Sequence, residues 1–170
     1  MSKLRITEIT VLSMLGALMC ASYYLMQSLP NVHLLGVFIV AATVVFRAKA
    51  LWAIYVFVLL AGITQGFGTW WIAYLYVWAV LWGMVMLIPK NMPKRVAPIV
   101  YMTVSALHGY LFGILYAPSQ ALLFGYDFNQ TVAWVVAGFP FDLIHGTSNL
   151  ICGVLIYPII LTLRRTLKKS

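Results

Sequence analysis

Lys and Arg stand at positions 3, 5, 47, 49, 90, 94, 95, 164, 165, 168 and 169, and apolar runs fill the intervals between them. A helix that crosses a bilayer needs about 20 apolar residues. The chain of 170 residues is 64% hydrophobic and 8% charged, whereas a soluble domain carries about 25% charged residues. The pattern therefore predicts an all-α integral membrane protein, one domain with about six spans. They are expected at about 8–27, 34–46, 51–65, 70–88, 98–117 and 140–163, with an outer connection over 118–139 that holds a short interfacial helix. With both termini cytoplasmic, every basic residue falls on the cytoplasmic side, as the positive-inside rule requires. The formal net charge of +8 is then topological, with a secondary attraction to anionic lipid. It gives no support to a nucleic-acid role. The first apolar stretch has no small-residue cleavage motif and is expected to remain as a span. Cys20 and Cys152 lie inside apolar runs and read as small buried residues.

Polar groups within such runs need a reason to be there. Asp142 is one of three acidic residues in the chain, and it opens the segment that contains His145 and Asn149. At about 100° per residue the three fall within roughly 60° of one another, on one helical stripe. Either they face a ligand, or they satisfy one another and backbone carbonyls between packed helices. As a single helix, the stretch 131–163 would be about 50 Å long, against a hydrocarbon core of about 30 Å. A break is therefore expected, with Gly138 as the C′ residue and Pro140 opening span six, the alternative being one kinked helix from Thr131. That start places Asp142 in a first turn, where the helix dipole favours a carboxylate.

Aromatic residues mark the same end of the bundle. Trp71, Tyr74, Trp78 and Trp82 share a narrow stripe of span four, and a membrane-interface belt explains only its outer members. Trp78 is either a packing residue or a platform for a planar ligand. Asn31 and His33 follow Pro30 at the outer mouth, and Tyr116 lies at the outer end of span five. His108 sits at mid-depth beside Gly109 and Gly113, either as an interhelical hydrogen-bonding group or as part of a site. The candidate substrate-binding set is Asn31, His33, Trp71, Tyr74, Trp78, Tyr116, Asp142, His145 and Asn149. No Lys or Arg lies on the outer half, so a flat neutral or cationic heterocycle is expected rather than a strongly anionic ligand. The signatures of ATP hydrolysis, acyl transfer and metalloproteolysis are absent, and no residues show convincing metal-ligand spacing. No catalytic residue, metal or cofactor is expected in this chain.

Ala17 and Ala21 in span one, Gly66-Phe67-Gly68-Thr69-Trp70-Trp71, and the motif from Pro140-Phe141-Asp142 through Asn149 resemble the substrate-binding S component of an energy-coupling factor (ECF) transporter. The likeness covers essentially the whole chain. It implies a multi-pass protein of the bacterial cell membrane that binds a vitamin-like small molecule from outside. It also implies docking on a transmembrane T component with two ATPases, which use the ATP, followed by toppling to release substrate inside. By the resemblance, Ala17 and Ala21 meet the T component, while the outer loops and spans four to six form the site. Other readings remain: a stand-alone carrier or channel, a membrane enzyme using Asp142 and His145, or a packing subunit of a larger complex.

Overall fold

The computed structural model describes residues 5–169, and every regular element among them is helical. The order is α1 (Ile6–Leu25), α2 (Leu35–Phe46), a 3-10 turn (Arg47–Ala50), α3 (Leu51–Gln65), α4 (Thr69–Met86), α5 (Ala97–Tyr110), α6 (Phe112–Phe124), α7 (Phe128–Cys152), a second 3-10 turn (Gly153–Leu155) and α8 (Ile156–Lys169). Five stretches among the described residues are long and apolar enough to cross a membrane: Ile6–Leu25, Leu35–Gln65, Thr69–Met86, Ala97–Phe124 and Phe128–Lys168. Large apolar side chains such as Leu25, Ile63, Leu122, Val136 and Ile151 stand exposed on the outside of the bundle. A bilayer supplies the apolar surroundings that so much surface requires.

The second stretch is interrupted where Arg47 takes φ 53°, a conformation that costs a non-glycine residue about 1 to 3 kcal/mol. Three helix ends meet there and hold it. The Arg47 guanidinium donates to the Met86 carbonyl at 2.7 Å, and its own carbonyl accepts from the Trp82 indole at 3.1 Å. Lys49 Nζ donates to the Glu8 carboxylate at 2.7 Å and 2.9 Å. Trp82 is thus tied to the α2–α3 junction.

The expected helix start at Pro140 is not found. Pro140 and Gly138 lie inside α7, which begins at Phe128 instead. The chain turns earlier because Gly125 closes α6 at φ 68° and Asp127 caps α7 in a reciprocal box with Gln130. The Gln130 amide donates to Asp127 Oδ1 at 2.8 Å, and the Asp127 amide donates to Gln130 Oε1 at 2.9 Å. Accordingly, 118–139 does not hold a separate short helix. It is the end of α6 and the start of α7, with Tyr116 stacked on Trp134 at 5.9 Å and 18°. The stretch expected as one span at 98–117 breaks at Leu111 into α5 and α6.

The closest helix contact that bears on the site is between α5 and α7. A Cβ on Gly109 would lie 2.8 Å from both Gly146 Cα and Gly146 N, so the two backbones meet with no side chain between them. Gly109 and Gly113 therefore serve packing within the chain.

Candidate functional site

The centre of the candidate site is Trp78, whose side chain is fully buried on α4. Its ring meets five others: Tyr74 at 5.3 Å, Phe112 at 5.6 Å, His108 at 5.7 Å, His33 at 5.9 Å and Phe57 at 6.2 Å. These distances suit edge-to-face and tilted aromatic packing. His33 comes from the connection between α1 and α2, which folds inward so that the imidazole is buried. Asn31 makes the inward turn with φ 59°, a conformation Asn tolerates better than most residues, and its carbonyl accepts from Ser148 Oγ at 3.0 Å. His33 then reaches α7, its ring 4.6 Å from that of His145, and His145 lies 4.8 Å from Phe112.

The α7 stripe points inward as its spacing implies: Asp142, His145 and Asn149 are all buried. They do not converge on one point. Both Asp142 oxygens accept from the Gly113 amide, at 3.0 Å and 3.1 Å. Gly113 lies in the first turn of α6, so Asp142 is not in the first turn of its own helix but sits against a backbone amide at the start of another. At the other end of the stripe, Asn149 Nδ2 donates to the Ser105 carbonyl at 3.1 Å.

Six buried polar atoms in this neighbourhood have no hydrogen-bond partner among the described residues: His33 Nδ1, Trp78 Nε1, Ser105 Oγ, His108 Nδ1, His145 Nε2 and Asn149 Oδ1. Each such atom costs about 1 to 3 kcal/mol, and native interiors hold few of them. Some neighbours are satisfied: His108 Nε2 lies 3.0 Å from the Val77 carbonyl, and Tyr74 donates to the Tyr23 hydroxyl at 3.3 Å. Beside His33 opens a cavity of about 110 Å³ lined by Tyr23, Met26, Gln27, Leu29, Pro30, Asn31 and Val32. Burial pushes the His33 imidazole down to about 4, and His108 adds to the shift. The ring is therefore a neutral donor and acceptor at pH 7.

Several expected residues lie apart from the Trp78 cluster. The Trp71 indole donates to the Val58 carbonyl at 2.8 Å and packs against Phe67 at 5.0 Å, pinning α4 to α3. Tyr116 meets the cluster at its edge, its ring 5.8 Å from that of Phe112. Tyr23, Ser105 and Phe112 are members that the sequence did not mark, and His108, open between a hydrogen-bonding group and a site residue, is also a member. Ser105, His108 and Phe112 recur at helical spacing, a signal that a helical-wheel reading of 97–124 carries.

The arrangement gathers neutral donors and acceptors around a fully buried indole. Among the described residues no group of three His, Cys, Asp or Glu side chains is placed to hold a metal ion. The chain matches no family model, no curated protein and no solved structure.

Proposed function

We propose that this chain is the substrate-binding membrane subunit of an ECF-type transporter, taking up a neutral, vitamin-like heterocycle from outside. The observation that carries the reading is the gathering of unpaired buried polar atoms around Trp78, His33 and His145. Such a group is stabilised by a partner that supplies hydrogen bonds and a planar face. A charged substrate is less well served, because Asp142, the one carboxylate nearby, is engaged by the Gly113 amide. The energy source lies in partners, a T component and two ATPases, and Ala17 and Ala21 are the docking face. Both are exposed, whereas Gly16 of the same helix packs inward against Val56 and Ala53.

The proposal includes six crossings with both termini cytoplasmic. In its support, the positive-φ break at Arg47 and the Lys49–Glu8 bond lie at the end of the bundle where α1 begins. At the opposite ends of these helices, Tyr23 of α1 and Tyr74 of α4 share a hydrogen bond. α2 and α3 are then two crossings. Labelling of Met92→Cys only from inside and of Asp127→Cys only from outside is expected; the reverse pattern overturns the topology.

The deciding experiment is to denature the purified protein and identify the released small molecule by mass spectrometry, with the co-purifying proteins identified in parallel. A heterocyclic micronutrient with ATPase partners is the expected result. Protein that retains no small molecule and no ATPase supports a stand-alone carrier or channel instead.

A further inference from the structure

At the end of the bundle away from the His33 cluster lies a cavity of about 600 Å³. One wall is the α4–α5 connection, with Lys90, Asn91 and Lys94; another is α8, with Tyr157, Leu161 and Arg164. We propose that this cavity binds the phosphate headgroup of an anionic phospholipid.

Charge is the first part of the argument. Lys90, Lys94 and Arg164 line the space together and are all exposed, and none is ion-paired with a described residue. The chain has three acidic side chains, and each is engaged elsewhere. Glu8 holds Lys49, Asp127 caps α7 through Gln130, and Asp142 accepts from Gly113. Among the described residues no carboxylate therefore compensates the positive field of the cavity, and a phosphate can supply the missing charge.

The lining also changes character along α8. Arg164, Leu161 and Tyr157 follow one helical face over about 10 Å, from a cation through an aliphatic side chain to a phenol. Leu161 is exposed to the outside of the bundle. A free phosphate ion has no use for that apolar continuation. A phospholipid does, because its headgroup meets the cations while its glycerol and acyl chains continue along the helix. Cations at a membrane surface also gain from the local concentration of anionic lipid, by about 1 kcal/mol per Lys or Arg, or roughly fivefold in affinity for each.

The test uses the full-length protein in nanodiscs of equimolar dioleoyl phosphatidylglycerol and dioleoyl phosphatidylcholine, released into native mass spectrometry. Wild-type protein is expected to retain phosphatidylglycerol over phosphatidylcholine by on the order of tenfold. The combined variant Lys90→Gln, Lys94→Gln, Arg164→Gln should fall to about twofold or less. A control with equal charge loss, Arg95→Gln, Arg165→Gln, Lys168→Gln, should keep the preference, since none of those residues lines the cavity. Lys94→Gln and Arg164→Gln are read singly should the combined variant melt below the wild type. No preference in the wild type, or equal losses in the cavity variants and the control, overturns the site. Saturable binding of inorganic phosphate that displaces the retained lipid overturns the lipid assignment and makes the cavity a soluble-phosphate site.

Discussion

The Asp142 carboxylate accepts from the Gly113 amide with both oxygens, joining the middle of α7 to the first turn of α6. A side chain at position 113 would collide with that carboxylate. Gly113→Ala is therefore expected to destabilise the protein by about 1 to 3 kcal/mol through overpacking. Asp142→Asn, which keeps the shape and removes the charge, should cost about 1 to 2 kcal/mol. Because the two residues share one interaction, the double variant should be less destabilised than the sum of the singles. Thermal unfolding in detergent measures all three, and strict additivity would falsify the coupling.

The crossing of α5 over α7 gives a second expectation. Gly109→Ala places a methyl 2.8 Å from the Gly146 backbone, which must move because backbone cannot rotate away as a side chain does. A loss of about 1 to 3 kcal/mol is expected, with weaker ligand retention because His108 and His145 flank the contact. An unchanged melting temperature would show that the helices separate without cost.

Ligand affinity should divide the aromatic residues of α4. Trp78→Phe, His145→Ala and Asn149→Ala each remove groups at the buried cluster, and losses of about 1 to 3 kcal/mol, or roughly five- to more than a hundredfold in Kd, are expected. Trp71→Phe removes the bond to Val58, and the Trp71 ring pairs with Phe67 of the α3–α4 turn, so the change should lower stability by about 1 kcal/mol and leave Kd within about twofold. Calorimetry with the molecule recovered from the purified protein checks the set. If all three cluster variants bind like the wild type, the cluster serves packing only.

Ala17 and Ala21 are exposed, so Ala17→Leu and Ala21→Leu should leave folding and ligand affinity intact while abolishing uptake in cells. Loss of binding by the purified variants would assign this face to the fold.

Stability should depend on pH through His33. Its folded-state value is about 4, below the unfolded value near 6.5, so the unfolded chain binds more protons between the two. The contribution is fully present above about pH 6.5 and is lost as pH falls toward 4. His33→Gln should flatten the melting-temperature profile in that window, and an unaltered slope there would place the dependence elsewhere.

What the sequence determined by itself was the apolar helical character, because a chain with so few charges has one solvent in which its surface is tolerable. The inward stripe of Asp142, His145 and Asn149 was equally legible, since helical periodicity orients side chains before any partner is known. The tertiary structure decided where helices begin and which groups meet. Pro140 looked like a helix start, but a proline inside an apolar segment can remain helical where neighbouring helices enclose it, and the stronger local signals were Gly125 and the Asp127–Gln130 box. Trp71 shares a stripe with Trp78, yet its indole found the Val58 carbonyl of α3 instead of the cluster. Asp142 found Gly113 for the same reason. A buried donor or acceptor takes whatever partner packing brings within 3 Å or so, and that neighbour is set by helix crossings far apart in the chain.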